Sequence, residues 1–349
     1  MANITYSFSG GDRDALVGKY EHKIKGFIEH ESNLCEKEKN VLTELFNVEK
    51  SNSYSEAFTG ETDFDTFMSM GEGQSAENDS VMETFRKHFI HHQFGKTFTI
   101  TRQMMDDAKF GMGAEMKARP KAFARAFYKT RVDAACQALI HGTETSMIFN
   151  KATVDLTTGD GKPLFHSEHP YVDPKYKSKK QSNYFYGSIG ADGNIDGAKL
   201  EETLSKLANA MRNFKDENCN TMGYVADTII IPCNRPMLEM ALKKIVGSER
   251  TVGTDYNDLN TQYGNWTIVV LNNWEATDDR FMVMSSAANK TLMGNLFFNR
   301  VELDCTSWVD NPTRNLCFSG YCRFGLGFRT WKHIAMFVGA STLSGATAL

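Results

Sequence analysis

The feature that most constrains the fold is a long, charged helical stretch in the middle of the chain. Its apolar residues recur at helical intervals: Met116, Phe123, Phe127, Ala134 and Ala138. Because proline fits a helix only near its first turn, Pro120 predicts a regular helix from about residue 118 to 141, with Gly142 as a natural stop. Such a helix is too long and too charged for a compact core.

The composition excludes several classes of protein. The 349 residues allow about two domains, and 41% hydrophobic with 23% charged residues is an ordinary globular balance. A net charge of −4 argues against a dedicated nucleic-acid binder. No apolar run approaches the ~18 residues of a membrane span, and the first residues lack the pattern of a secretory signal. Seven scattered cysteines fit reduced thiols in a cytosolic compartment.

The first fifty residues carry a narrow apolar stripe at helical spacing between residues 12 and 47. Two interpretations stay open. The stretch forms one or two surface helices on the body, or it is an extended arm that packs on a neighbouring molecule.

Residues 61–100 predict a long β-hairpin. Phe64, Met68 and Met70 share one parity with Thr66, whereas Asp63, Asp65 and Ser69 share the other with Phe67, which is the alternation typical of a strand. The polar segment 71–80 predicts the tip. In the return strand the apolar residues change face near Ile90, which predicts a bulge or the point where the hairpin enters the body.

Charge separates this hairpin from the central helix. Residues 61–80 contain six acids and no Lys or Arg, whereas residues 86–131 contain eleven Lys or Arg and three acids. We therefore expect the hairpin of one copy to contact the basic helix of another. The predicted hairpin contacts are Phe64, Phe67, Met70, Glu72, Glu77 and Asp79, and the predicted helix contacts are Arg119, Lys121, Arg125 and Lys129.

Two motifs resemble metal sites. His166 and His169 lie in a turn beside Pro170 and lack a clear third zinc ligand. The run from Asp192 to Asp196 begins like a calcium loop, but the acid expected at position twelve is absent, and Asp196 is explained more simply as a helix N-cap.

Other routes to chemistry are weaker. Cys317 and Cys322 are five apart, so on one strand they point to opposite faces, and buried thiols are the expected interpretation. The chain contains no phosphate-binding loop, dinucleotide fingerprint or nucleophile elbow. We predict no catalytic residue, no metal and no cofactor.

The order of these parts resembles the major capsid proteins of tailed bacteriophages, which share the Hong Kong 97-type fold, and in particular the Mu-like major head subunits. The similar segments are FGKTFTITRQMMDDAKFG (94–111), the end of the helix at 138–142, and DGKPLFHSEHP (160–170). The later part is similar too, with a helix over 196–214, a strand over 224–231 and a β-rich end.

The resemblance implies an α+β fold with five parts. They are an N-terminal arm (1–52), an extended hairpin loop (53–100), a peripheral domain whose spine is the long helix (101–215), an axial domain (216–293), and the peripheral sheet with a C-terminal tail (294–349). Within the last part the strands over 297–338 form the peripheral sheet, and residues 339–349 are expected to be loose.

The same resemblance implies a non-enzymatic structural protein. Its copies are expected to assemble in the host cytoplasm into the pentamers and hexamers of an icosahedral virion head that encloses double-stranded DNA. Expected partners are other copies, a scaffold, a portal and the DNA, with a decoration protein as an open possibility and no membrane. Two alternatives remain: an encapsulin-like shell around protein cargo, and a metal-dependent hydrolase that uses His166 and His169.

Overall fold

The computed structural model describes residues 5–8, 15–38, 40–62, 64, 66–76, 78, 82–108, 113–176, 178–191, 194–250 and 260–349. The helices within these ranges are α1 (Ala15–Lys37), α2 (Val41–Leu45), α3 (Arg102–Asp107), α4 (Ala114–Ile140), α5 (Gly197–Arg212), α6 (Pro236–Gly247) and α7 (Ser286–Leu292).

The strands within the same ranges are mostly short, apart from two long ones near the C-terminus. They are β1 (Thr5–Phe8), β2 (Asn47–Lys50), β3 (Ser55–Glu61), β4 (Glu83–Ile90), β5 (His92–Ile100), β6 (Ser146–Phe149), β7 (Ala152–Asp155), β8 (His169–Pro170), β9 (Lys180–Gln181), β10 (Tyr184–Gly187), β11 (Gly190–Ala191), β12 (Asn194–Ile195), β13 (Thr228–Pro232), β14 (Thr267–Leu271), β15 (Asp279–Met284), β16 (Asn295–Val309), β17 (Leu316–Phe328), β18 (Ile334–Gly339) and β19 (Thr347–Ala348).

Two sheets organise the molecule. The first has the order β1-β16-β17-β5, and β2 also pairs with β16, so the N-terminal strands cover the outer edge of β16. The second has the order β14-β13-β15-β18-β10-β19. One large apolar core surrounds the second sheet, α5, α6 and the end of α4, and a smaller core lies between the first sheet, α1 and the start of α4.

The long helix is longer than predicted. α4 begins at Ala114 rather than at about Ala118, and Pro120 lies inside it. An internal proline removes one backbone hydrogen bond and costs about 3 kcal/mol. Met116 and Phe123 on either side of it are buried in the smaller core, so tertiary packing outweighs the local preference.

The N-terminal stretch lies on its own chain. α1 runs along α4, and Tyr20, Ile24 and Ile28 are buried against it in the smaller core. The sequence left open whether this stretch forms surface helices on the body or an arm on a neighbouring molecule. The described residues between 15 and 50 agree with surface helices on the body.

Two strand predictions and the prediction of a loose C-terminal tail were wrong. Residues 64–70, predicted as a strand from their alternation, have no strand conformation in the described part, and the hairpin strands are β3 and β4 instead. β18 was expected in the peripheral sheet but pairs with β15 and β10 in the other one. The C-terminus is not loose, because β19 pairs with β10 and Leu349 N donates to Tyr186 O at 3.1 Å.

A buried polar network ties the N-terminal segment to both sheets. The carbonyl oxygen of Leu45 accepts from Asn289 Nδ2 at 3.1 Å and from Asn295 Nδ2 at 2.9 Å. The side-chain oxygen of Asn295 lies 2.7 Å from Nε2 of His333, which is fully buried just before β18. Asn295 Nδ2 donates to Leu45, so the atom that faces His333 is the amide oxygen, which can only accept. The neutral His333 ring therefore donates from Nε2.

Gly142 is required for packing rather than for helix termination. A Cβ there would come within 2.7 Å of the Phe165 ring, and Phe165 is almost fully buried. We expect Gly142→Ala to lower the free energy of unfolding by about 1–3 kcal/mol, because the ring has no room to move. Gly26→Ala is the matched control, since Gly26 is exposed within α1 with nothing near its Cβ position. It should stabilise by up to about 1 kcal/mol. Equal effects of the two changes in chemical denaturation would contradict this role.

The buried His333 predicts a pH dependence of stability. Burial lowers its pKa to about 3, whereas the unfolded chain has a histidine pKa near 6.5. The unfolded state therefore binds the extra proton between pH 6.5 and 3, so stability is full above about pH 6.5 and falls as the pH drops through this window. We expect His333→Gln to reduce the loss of unfolding free energy between pH 7 and 4.5 by roughly 1–3 kcal/mol. An unchanged pH profile in chemical denaturation would contradict this assignment.

Candidate intersubunit surfaces

The hairpin ends in an uncovered apolar tip. β3 and β4 pair from Ser55 opposite Ile90 to Glu61 opposite Glu83, and the described residues between 62 and 82 lie beyond the last pair. Phe67 is fully exposed there, and Phe64, Met68 and Met70 are 69%, 66% and 58% exposed. So many neighbouring apolar side chains on a surface usually mark an interaction site.

The predicted hairpin contacts therefore follow the last pair of β3 and β4 and are exposed, as far as they are described. Glu72 is exposed beside the apolar residues. Glu77 and Asp79 lie outside the described residues. The role of this set in contacts between copies stays a prediction.

The base of the hairpin is firmly held. Phe58 of β3 and Phe89 of β4 pack on Phe298 of β16, with ring centroids 5.7 and 5.2 Å away. Lys87 Nζ donates to Asp155 Oδ2 at 2.6 Å and to Thr157 Oγ1 at 2.9 Å. Burial lowers the pKa of Lys87. Burial raises the pKa of Asp155, but the hydrogen bonds from Lys87 and Thr157 outweigh it, so the net pKa is lowered.

A second polar cluster lies where the hairpin joins the body. Ser51 Oγ donates to Glu56 Oε1 at 2.6 Å, which leaves it to accept from His91 Nε2 at 2.9 Å. His91 is the single residue between β4 and β5. Its pKa is lowered, first by burial and then by the nearby Arg323. The change of face predicted near Ile90 is confirmed here, because β4 belongs to the hairpin and β5 to the first sheet.

The basic residues of α4 fall into two groups. Lys121 and Arg125 share one side, and Arg125 forms an ion pair with Glu31 of α1 at 3.2 Å. Arg119 lies on the side of Phe123, where its Nη1 donates to the carbonyl of Thr99 in β5 at 2.8 Å. Lys129 is exposed. Part of the positive charge of α4 is therefore paired within the chain, because Glu31 of α1 binds Arg125. This N-terminal acid was not among the predicted contacts.

The two histidines of the proposed metal site have structural partners. His169 is fully buried, stacks on Trp331 at 4.3 Å, and has ring nitrogens 2.7 Å from Asp160 Oδ2 and 3.2 Å from Asn183 Oδ1. Nδ1 of His166 accepts from the backbone of Glu168 at 2.9 Å. Burial raises the pKa of Asp160, but the hydrogen bond and charge of His169 and the hydrogen bonds from Thr158 and the Lys162 backbone together outweigh it, so the net pKa is lowered.

The remaining candidate metal motifs also have structural explanations. Among the described residues no three His, Cys, Asp or Glu side chains are grouped as metal ligands. Asp192 lies outside the described residues. Asp196 caps α5 by accepting from Ala198 N at 3.0 Å, as predicted. Cys317 and Cys322 are buried free thiols.

Asn183, which was not predicted from the sequence, holds the 160–170 loop to the second sheet. Its Nδ2 donates to Leu164 O at 2.7 Å and to Ile334 O at 3.1 Å. A lone asparagine in a polar loop carries no sequence signal for this role, because its partners are up to 151 residues away.

Comparisons with known proteins agree with this architecture. Residues 89–335 match a family described as phage capsid protein. A solved structure from Mycobacterium phage Patience has 11% identity, covers 99% of this chain and 95% of that one, and gives a TM-score of 0.52. The capsid of cyanophage P-SCSP1u has 11% identity, coverage of 87% and 89%, and a TM-score of 0.50. The capsid of a native GTA particle has 15% identity, coverage of 86% and 90%, and a TM-score of 0.50. No curated protein sequence matches.

The family match spans well over half of the chain, so this protein belongs to the family of phage capsid proteins. The predicted α+β, Hong Kong 97-type capsid fold is confirmed. The protein is a structural subunit of the phage head shell and hence of the virion. None of the described helices is long and apolar enough to cross a membrane.

The buried bridge at the hairpin base predicts how firmly the hairpin is attached. We expect Lys87→Met to lower the free energy of opening β3–β4 by about 1–3 kcal/mol, because a nearly buried charge-assisted hydrogen bond is lost. Lys243→Met is the control. In the unmodified protein Lys243 has an exposed side chain, and its ion pair with Glu239 should contribute less than about 0.5 kcal/mol. Hydrogen exchange of the β3 and β4 amides measures the effect, and equal exchange in both variants would contradict it.

Proposed function

We propose that this protein is the major head subunit of a tailed phage, and that the extended hairpin of each copy grips a neighbouring copy. The copies then form the pentamers and hexamers of an icosahedral head around double-stranded DNA. We also propose that the protein belongs to the Mu-like branch of these head subunits. Its copies assemble in the host cytoplasm, with a scaffold and a portal as partners. The family match and the exposed hairpin tip support it.

The uncovered apolar tip is the observation that carries this proposal. Covering Phe64, Phe67 and Met70 on a neighbour would contribute about 1.5–3 kcal/mol for each side chain. Exposed ion pairs contribute only about 0.2–1 kcal/mol each and are screened by salt. Apolar contact therefore holds the interface, while the acidic residues of the hairpin and the basic residues of α4 set its direction and register.

In this proposal the chain keeps its five parts, but some strands belong to a different sheet than expected. The first sheet with α4 corresponds to the peripheral domain. The second sheet gathers β13–β15 with β10, β18 and β19, so we propose that the axial domain also includes residues 184–187 and 334–348.

The hydrolase alternative has little support, because His169 is fully engaged and His166 accepts from its own turn. An encapsulin-like shell shares the fold, but the family that matches is that of phage capsid proteins.

Removing the apolar tip should block assembly and spare the fold. We expect Phe64→Ser combined with Phe67→Ser, or deletion of residues 71–80, to give folded subunits that build no closed particles in negative-stain microscopy. Both phenylalanines project from the body, so the unfolding free energy should change by less than about 0.5 kcal/mol.

The matched control is Phe64→Leu combined with Phe67→Leu, which keeps both side chains apolar and should still assemble. Normal shells from the serine variant and from the deletion would refute the role of the hairpin.

A further inference from the structure

The N-terminal segment, formed by β1, α1, α2 and β2, covers the outer edge of the long strand β16. β2 pairs with the start of β16, from Leu296 to Asn299, and β1 pairs with its end, from Asp304 to Ser307. β17 occupies the opposite edge of β16. Along these two stretches β16 is therefore an interior strand, and residues that precede position 51 make it so.

The same segment supplies side chains to both apolar cores. Three residues of α1 belong to the smaller core and three of α2 to the larger one: Tyr20, Ile24, Ile28, Val41, Leu42 and Leu45. Three of the six, namely Ile24, Ile28 and Leu45, have no exposed surface at all. Loss of the segment would thus expose apolar surface at two separate places in the body.

Polar contacts along the segment have partners far away in the chain. Asn47 Nδ2 donates to Asn289 O at 2.8 Å, and Ser51 N donates to Asn299 O at 2.9 Å. The Leu45 carbonyl, already described, accepts from two buried asparagine side chains. These asparagines would be left without an acceptor if the segment left, and a buried polar group without a partner is costly.

A short exposed link joins the segment to the hairpin. Asn52, Ser53 and Tyr54 are exposed and lie between the end of β2 at Lys50 and the start of β3 at Ser55. Exposed links with small polar residues are the places where proteases cut a folded chain. Once the link is cut, strand pairing and core packing alone would hold the segment on the body.

Without its cover, β16 would present a long free edge. Its fifteen residues extend about 50 Å. A free strand edge is a template for pairing with the edge of another chain. A protein that has to meet its copies in a few fixed orientations must prevent such pairing, because it competes with ordered assembly.

The scaffold expected among the partners sets a further condition. An internal scaffold occupies volume that the enclosed DNA needs, so it has to leave the head. A segment of the head subunit could serve as this scaffold only if it were released after assembly. The strand pairs, core side chains and buried polar contacts of the N-terminal segment all oppose such a release.

We propose that the N-terminal segment guards the edge of β16 and stays bound to its own subunit from folding to the mature head. It follows that the described residues between 15 and 50 are not a removable scaffold, and that the scaffold is a separate polypeptide. This inference rests on the proposed function for its meaning in the head. The retention of the segment is a property of the single subunit.

Cleavage at the link tests the retention. A recognition sequence for a specific protease is inserted between Ser53 and Tyr54 of the full-length protein, which is cut after folding. We expect at least about nine-tenths of the cut segment to remain with the body in size-exclusion chromatography, because segments that share a core open rarely. The same cut in denaturant sets the scale of full release. Release of most of the segment from bodies that stay folded would overturn the proposal.

A matched pair of variants tests the guarding role. Ile28→Asp and His30→Asp introduce the same side chain at a buried and at an exposed position of α1. After cleavage, Ile28→Asp should release at least about tenfold more of the segment, because a buried carboxylate is costly. Bodies that lose the segment should form irregular aggregates. Equal release from both variants, or bodies that stay single without the segment, would overturn the role. If Ile28→Asp does not fold, cleavage with native Ile28 still decides retention.

Mass spectrometry of mature heads separates the two proposals. Peptides from residues 15–50 should occur in the same amount as peptides from β16. Mature subunits that begin beyond Lys50 would overturn the edge guard and leave the proposed function standing. Failure of the unmodified protein to form any particle with its neighbouring gene products would overturn the proposed function, whereas retention in free subunits is measured without particles.

Discussion

The pairing of β5 with β17 fixes the part of this molecule on which its function depends. The two strands are in register from His92 opposite Phe324 to Ile100 opposite Leu316. Phe98 packs on Phe318 and Phe123, with centroids 5.0 Å from each, which fastens β5 to the sheet and to α4. Because a single residue separates β4 from β5, the hairpin leaves the body in a direction set by that pairing. Its apolar tip consequently has no cover within its own chain.

The balance of energies then favours association through apolar contact. A few large side chains at about 1.5–3 kcal/mol each outweigh several exposed ion pairs at about 0.2–1 kcal/mol. No single contact needs to be strong, because each subunit in a shell meets several neighbours at once. The rigid base around Lys87 and Phe298 limits the entropy that the hairpin loses on docking.

Local sequence patterns predicted the helices better than the sheets. The spacing of Leu200, Leu204 and Leu207 with Asp196 as N-cap identified α5, since both signals depend on near neighbours. The family resemblance, in contrast, placed β18 in the sheet of β16 and β17, whereas β18 pairs with β15 through long-range packing that no local pattern records. The alternation over residues 64–70 predicted a strand, but the described residues of this segment have no strand conformation. The apolar tip was predicted from its residues, whereas the anchoring role of Asn183 was not, because its partners lie far away in the sequence.

Hydrogen exchange of the tip in free subunits and in assembled particles tests the central claim most directly. If the tip is covered by another copy, the amides of residues 64–70 should exchange at least about 100-fold more slowly in particles than in free subunits. Equal, fast exchange of these amides in both states would show that the tip stays uncovered in the shell, and would contradict this account.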